Sequence, residues 1–369
     1  MDAHDTTGTL EEALERLHAW GPERLGRLTN HAPMVVEALA AHGQAGAVHR
    51  WLDLYRPRLE DFPTPVAPVT DANWREALGD PHRAADWIGY FGRALAEEPW
   101  RDVLATWWPR LLPGLYGGST HPVIRVGHAV RPLEAGESAP RLAELAHGLG
   151  YWAARHRAVS GITQLPAAPS AARSLDAVPP IADLRGGFPD RLAAVRRLPL
   201  WAGDVTDPDT ARARLTELVR AATHRYATHG HGEATMLVHA ATAPNAVLRA
   251  LGSLPRELWA PSLHAAWTAS AAVTAMYAPA EPVAHVPAPG RTAQEVLERA
   301  LAHGDEHVIK LTDTALDVGD ERALAAALRA VELSEPLVPN RRTPTGGRRR
   351  NGTDGPPGGT IVSACPSPN

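Results

Sequence analysis

The segment HVIKLTD, residues 307–313, holds the only lysine in a chain whose lysines and arginines together number 37. Arginine keeps its proton in proteins, whereas a buried lysine can lose it. A site that needs a neutral amine is therefore one place where arginine cannot substitute. His307 and Lys310 are three residues apart and so adjacent on one helical face. Val308, Ile309 and Leu311 give them apolar surroundings. A neutral amine there is nucleophilic and can capture carbon dioxide as a carbamate, which turns a would-be cation into an anionic oxygen ligand for a metal.

Four more of the 18 histidines have informative settings. His31 lies in LTNHAPMVVEAL, where Thr29 or Asn30 can cap a helix and Pro33 fits its first turn. His121 lies in GGSTHPVIRVGHAVR, with Ser119 or Thr120 as the cap and Pro122 in the first turn. The positive end of a helix dipole disfavours imidazolium, and a metal ligand must be neutral imidazole. His128 follows His121 on the same face, two turns and roughly 10.5 Å away, too far for both to bind one metal directly. One of the two is a ligand candidate and the other a substrate or outer contact, with Arg125 one turn from each. His239, in ATMLVHAATAPNAVL, reads as buried in mid-helix, either as a core histidine or as a ligand. His224, His229 and His231 cluster in THRYATHGHGE, but their spacing matches no metal motif, and HExxH is absent.

These residues need elements to position them. Apolar spacing predicts some fifteen helices and almost no strand, including about 30–42, 121–132, 138–158, 232–252 and 305–317. The fold class is all-α: one large helical domain over 1–335, interrupted by a long irregular loop at 163–188. Residues 336–369, rich in Pro, Gly, Arg and Ser, read as a disordered tail.

Composition excludes several classes. A net charge of −4 gives no basic field for nucleic acid. Cys365, the single cysteine, rules out a disulfide framework and a cysteine zinc site. The acidic, amphipathic start does not resemble a secretion signal, and the apolar stretch 262–280 reads as a buried helix rather than a membrane span. A cytoplasmic protein is the expectation.

Taken in order, NHAPMVVEAL, GGSTHPVIRVGHAVR, AELAHGLGYWAAR, the segment around His239 and DEHVIKLTDTAL resemble the questin oxidase-like family over about residues 10–333. The resemblance implies oxidative ring opening of anthraquinones or related aromatic polyketides. It also implies a mononuclear non-haem iron, Fe(II) or Fe(III), that uses O2 and is held by four histidines and a carboxylated lysine. Lys310, as the carbamate of carbon dioxide, and His307 match that pattern. His31, His121 and His239 complete it, with His128 as the alternative to His121. Pro122 stands where HGLIR-like versions carry glycine.

A sixth position would be left for dioxygen, with the small aromatic polyketide substrate in an apolar cavity beside it. Trp107, Trp108, Tyr116, Trp267 and Tyr277 are candidates for that lining, and Arg125 for holding a substrate oxygen. Two alternatives remain: a metal-free, NADPH-dependent Baeyer–Villiger-type monooxygenase, against which no GxGxxG follows a strand, and a helical protein that binds a polyketide without chemistry.

Overall fold

A computed structural model of the protein describes residues 3–337. The tail from residue 338 onward, with Cys365, lies outside the described residues. Two residues of the expected tail are placed: the Leu337 N–H donates to the His303 carbonyl at 2.9 Å, and its side chain packs on the core.

The fold is all-α. Its first part comprises α1 (Ala3–His18), α2 (Ala32–Ala41), α3 (Ala45–Tyr55), α4 (Trp74–Ala77), α5 (Ala84–Glu97), α6 (Trp100–Leu111), α7 (His121–Ala135) and α8 (Ala139–Ala154). Two short helices follow, α9 (Ala171–Asp176) and α10 (Phe188–Ala194). The second part comprises α11 (Pro208–His229), α12 (Ala234–Leu237), α13 (His239–Ala250), α14 (Trp259–Tyr277), α15 (Ala293–His303), α16 (Glu306–Val318) and α17 (Glu321–Leu333). No helix among the described residues is long and apolar enough to cross a membrane.

Helix α7 is the hub. It packs on α2, α8 and α13, so it is buried nearly all round, polar residues included. Gly127 permits the α13 approach: a Cβ there would lie 2.6 Å from the Cα and Cβ of Ala246. On α13, Pro244 lacks the N–H that the Ala240 carbonyl would otherwise receive, and the Ser270 hydroxyl of α14 donates to that oxygen instead, at 2.7 Å. Helix α16 closes the group, packing on α2, α11, α13, α15 and α17.

One expectation changes. Residues 163–188 are not wholly irregular, because Thr163–Leu165 (β3) pairs in parallel with Arg197–Pro199 (β4), and α9 lies within the stretch. A small hairpin, Glu23–Arg24 (β1) with Leu28–Thr29 (β2), precedes His31. Such two- and three-residue ladders are too short to show an alternating pattern in sequence.

Candidate metal centre

His31, His121, His239 and His307, four histidines far apart in sequence, meet at the N-termini of four helices. His31 is the N-cap of α2; His121 and His239 open α7 and α13; His307 is the second residue of α16. All four are buried.

Local sequence explains each placement. The Asn30 side chain accepts from the Ala32 N–H at 3.1 Å and donates to the Gly21 carbonyl at 3.0 Å, which pins the turn before His31. His31 itself donates its backbone N–H to the Tyr55 hydroxyl. Asp305 caps α16 by accepting from the N–H groups of His307 and Val308.

The start of α7 departs from expectation. Neither Ser119 nor Thr120 caps it with a side chain. Instead Gly118, Ser119 and Thr120 are all left-handed, with φ of 54°, 56° and 66°. A left-handed non-glycine residue costs about 1–2 kcal/mol, and such strain concentrates at functional sites. The turn aims the Gly118 carbonyl at the His121 ring, whose Nδ1–H donates to it at 2.8 Å. His239 opens α13, separated from α12 by Val238 alone, whose φ and ψ of −54° and −38° are helical. Glu233 caps α12 and the His239 Nδ1–H donates to the Met236 carbonyl at 3.0 Å.

The ring nitrogens converge. His121 Nε2 lies 2.8 Å from His31 Nε2 and 2.8 Å from His239 Nε2. The ring of His307 is 4.6 Å from that of His31 and 5.6 Å from that of His239. Donor atoms of His31, His121 and His307 all fall within 4.8 Å of one another. Because His121 and His239 have both spent their Nδ1 protons on carbonyls, their facing Nε2 atoms carry lone pairs when the rings are neutral. Two lone pairs at 2.8 Å repel unless a cation lies between them. A proton is disfavoured: burial, then neighbouring positive charge, pushes His121 well below its ordinary pKa, and burial with Lys310 nearby pushes His239 down to about 3. A metal ion fits. Two imidazoles bound at right angles with bonds of about 2.0–2.1 Å place their nitrogens about 2.9 Å apart.

Lys310 lies three residues after His307 on α16. It is wholly buried, and its Nζ has no hydrogen-bond partner. Burial pushes its pKa down to about 7, against the opposing pull of Glu306 and Asp305. Its charge would disfavour protonation of each of the four rings. Buried Glu306, which carried no signal in the sequence, binds Arg58 through both oxygens at 2.9 and 3.1 Å, and its Oε1 lies 3.9 Å from His31 Nδ1.

Other expected residues go elsewhere. His128 does not join the rings: its Nδ1 is 2.6 Å from Glu37 Oε2, which holds it two turns down α7. Of the two α7 histidines, His121 is the one brought to the cluster. Arg125 is no free charge for a substrate, since its Nε and Nη2 donate to Glu144 at 2.6 and 2.8 Å, leaving only buried Nη1 without a partner. The aromatic candidates serve core packing. Trp107 joins Trp74, Trp87, Tyr90 and Phe91; Trp108 packs edge-on to Trp152; Trp267 meets Trp201; Tyr277 stacks with Phe188. Tyr116 is also buried. In the THRYATHGHGE segment, His224 bonds to Asp320 and His229 to Thr228.

No curated protein matches the chain. The model of the questin oxidase-like family matches residues 28–176, a segment that includes His31 and His121 and ends before His239, His307 and Lys310. Over that segment, which supplies the hub helix and two of the four converging rings, the chain is similar to the questin oxidase-like family.

Proposed function

We propose that the protein is a non-haem iron dioxygenase that cleaves a ring C–C bond of a polycyclic aromatic polyketide. His31, His121, His239 and His307 would hold the metal, with Lys310 as the fifth ligand after carboxylation. The observation that carries this reading is the 2.8 Å contact between His121 Nε2 and His239 Nε2, two ring nitrogens whose protons are committed elsewhere. The family match supports an oxygenase-type role in polyketide metabolism. Iron, when bound, supplies the one-electron chemistry through which dioxygen reacts with an aromatic ring.

The chain's own residues prepare the site. Gly118 and Met236 carbonyls hold two rings in the tautomer that exposes Nε2. Burial keeps all four rings neutral and Lys310 largely able to act as an amine near neutral pH. That amine forms a C–N bond to carbon dioxide and releases one proton, leaving an anionic carboxylate. The anion suits a point where four helix N-termini meet, because their positive ends favour negative charge. Glu306, held by Arg58, adds a second carboxylate at the edge.

Metal analysis and oxygen uptake test the reading. Purified protein is expected to hold about one iron per chain and to consume oxygen with an anthraquinone or anthrone. Uptake that survives chelation and needs a reduced nicotinamide would replace it with the monooxygenase reading. Pigment binding without oxygen uptake would leave a carrier.

A further inference from the structure

A second polar layer lies beneath the rings, built from the same four helices. On α7, α13 and α16, residues six or seven positions after the ring-bearing histidine, and again ten after it, are polar: His128 and Arg131, Asn245 and Arg249, Asp313 and Asp317. On α2, Glu37 stands six after His31. At 1.5 Å per residue these side chains leave their helices about 9–15 Å below the rings.

They bond across helices. Glu37 of α2 accepts from Arg131 of α7 at 2.6 and 2.7 Å. Arg131 donates onward to Asp313 of α16 at 2.9 Å. The other oxygen of Asp313 accepts from Arg249 of α13 at 2.7 Å. Arg249 and Asn245 both donate to Asp317, at 2.9 and 2.8 Å. The chain of contacts thus runs α2–α7–α16–α13 and visits each helix that carries a ring. Glu37, His128 and Asp313 are buried. His42, Asp313 and Asp317 could in principle hold a cation, but each oxygen of Asp313 already faces a guanidinium, so this group is an ion-pair network and not a second metal site.

Buried ion pairs are a weak source of stability, because desolvation offsets their attraction. What they supply is direction: charge-assisted hydrogen bonds fix rotation and register. Apolar contacts between helices tolerate small slides, while a metal site tolerates ligand errors of only about half an ångström. We propose that this network is a positioning clamp, which sets the relative register of α2, α7, α13 and α16 so that His31, His121, His239 and His307 converge. Asp313 is its central positioning residue, joining α16 to both α7 and α13. The clamp rests on the metal reading above. It acts through helix placement, since no clamp residue bonds to the four rings.

The test uses the full chain and ferrous iron as the probe. Affinity is read by chelator competition, geometry by the electron paramagnetic resonance of the ferrous nitrosyl adduct, and folding by circular dichroism. Asp313→Asn removes the hub charge. The double variant Glu37→Leu with Arg131→Met replaces one arm by apolar groups of similar volume and decides the matter if Asp313→Asn does not fold. Folded variants are expected to bind iron at least about 10-fold more weakly and to give a broadened spectrum. Arg249→Lys, which keeps the charge on α13, should lose less affinity than Arg249→Met. Wild-type affinity and spectrum in folded variants, with only melting temperature changed, would overturn the clamp and leave the metal centre standing. A wild-type protein that binds no iron would sink the metal reading itself.

Discussion

His121 Nε2 sits 2.8 Å from His239 Nε2, although 118 residues separate them and each ring has already given its Nδ1 proton to a backbone carbonyl. The contact is unfavourable between neutral rings and favourable around a cation. Metal removal should therefore lower the melting temperature by several degrees, because a ligand that binds only the folded state stabilises it. His121→Ala should abolish tight iron binding, since His121 is the ring in contact with both His31 and His239. Calorimetry of metal-free and iron-loaded protein checks both. Identical transitions would count against a metal at this point.

Lys310→Met and Lys310→Arg should behave differently. Methionine fills a similar space without an amine, so the metal-free fold is kept or stabilised while iron is lost. Arginine brings a charge that cannot be shed into a wholly buried position. An unpaired buried charge costs about 3–5 kcal/mol, so this variant should unfold at far lower denaturant. Urea titration with iron analysis separates the cases. A Met variant that keeps full iron occupancy would remove Lys310 from the ligand set.

Gly127→Ala probes the α7–α13 contact. The new Cβ would meet the backbone and Cβ of Ala246 at 2.6 Å, so the helices must part. Overpacking of this kind costs about 1–3 kcal/mol. The same displacement separates His121 from His239, so iron affinity should fall along with stability. An affinity unchanged in the face of lost stability would show that the ring pair tolerates the shift.

Stability of the metal-free protein should fall on acidification. Burial holds His31, His121 and His307 well below the ordinary 6.5 and His239 at about 3. The unfolded chain takes up those protons first, so stability is lost as pH drops below 6.5 toward the folded values. Glu144 adds a second phase. Burial pushes its carboxyl up, but Arg125 outweighs this and holds it at about 2, so its contribution, present above 4.5, is lost between 4.5 and 2. Urea midpoints from about pH 8 to about pH 3 check the two phases. A midpoint that stays flat from about pH 7 to about pH 5 would contradict the buried neutral rings.

Helix content was legible because apolar spacing and first-turn prolines at His31 and His121 are local signals. Lys310 was legible because it is the single lysine and its neighbours are apolar. The boundary at His239 was not, since Val238 between α12 and α13 keeps helical backbone angles and is neither proline nor glycine. The left-handed turn before His121 was equally hidden, because Ser119 and Thr120 look like ordinary caps.

The sequence by itself determined the all-α class and pointed to five histidines and one lysine as candidates, while the set of four histidines with the lysine came from the ordered resemblance to a family. Only the tertiary structure shows which of His121 and His128, which share a helix and cannot be ranked by spacing, faces the other rings. Glu37 on α2 captures one ring, and His31 and His239 meet the other. The same holds for Arg125, whose charge is neutralised by Glu144 on the next helix. A side chain's partner depends on which helices pack against its own, and at separations from 19 residues, as for Arg125 and Glu144, to 118, as for His121 and His239, the local sequence carries no record of that packing.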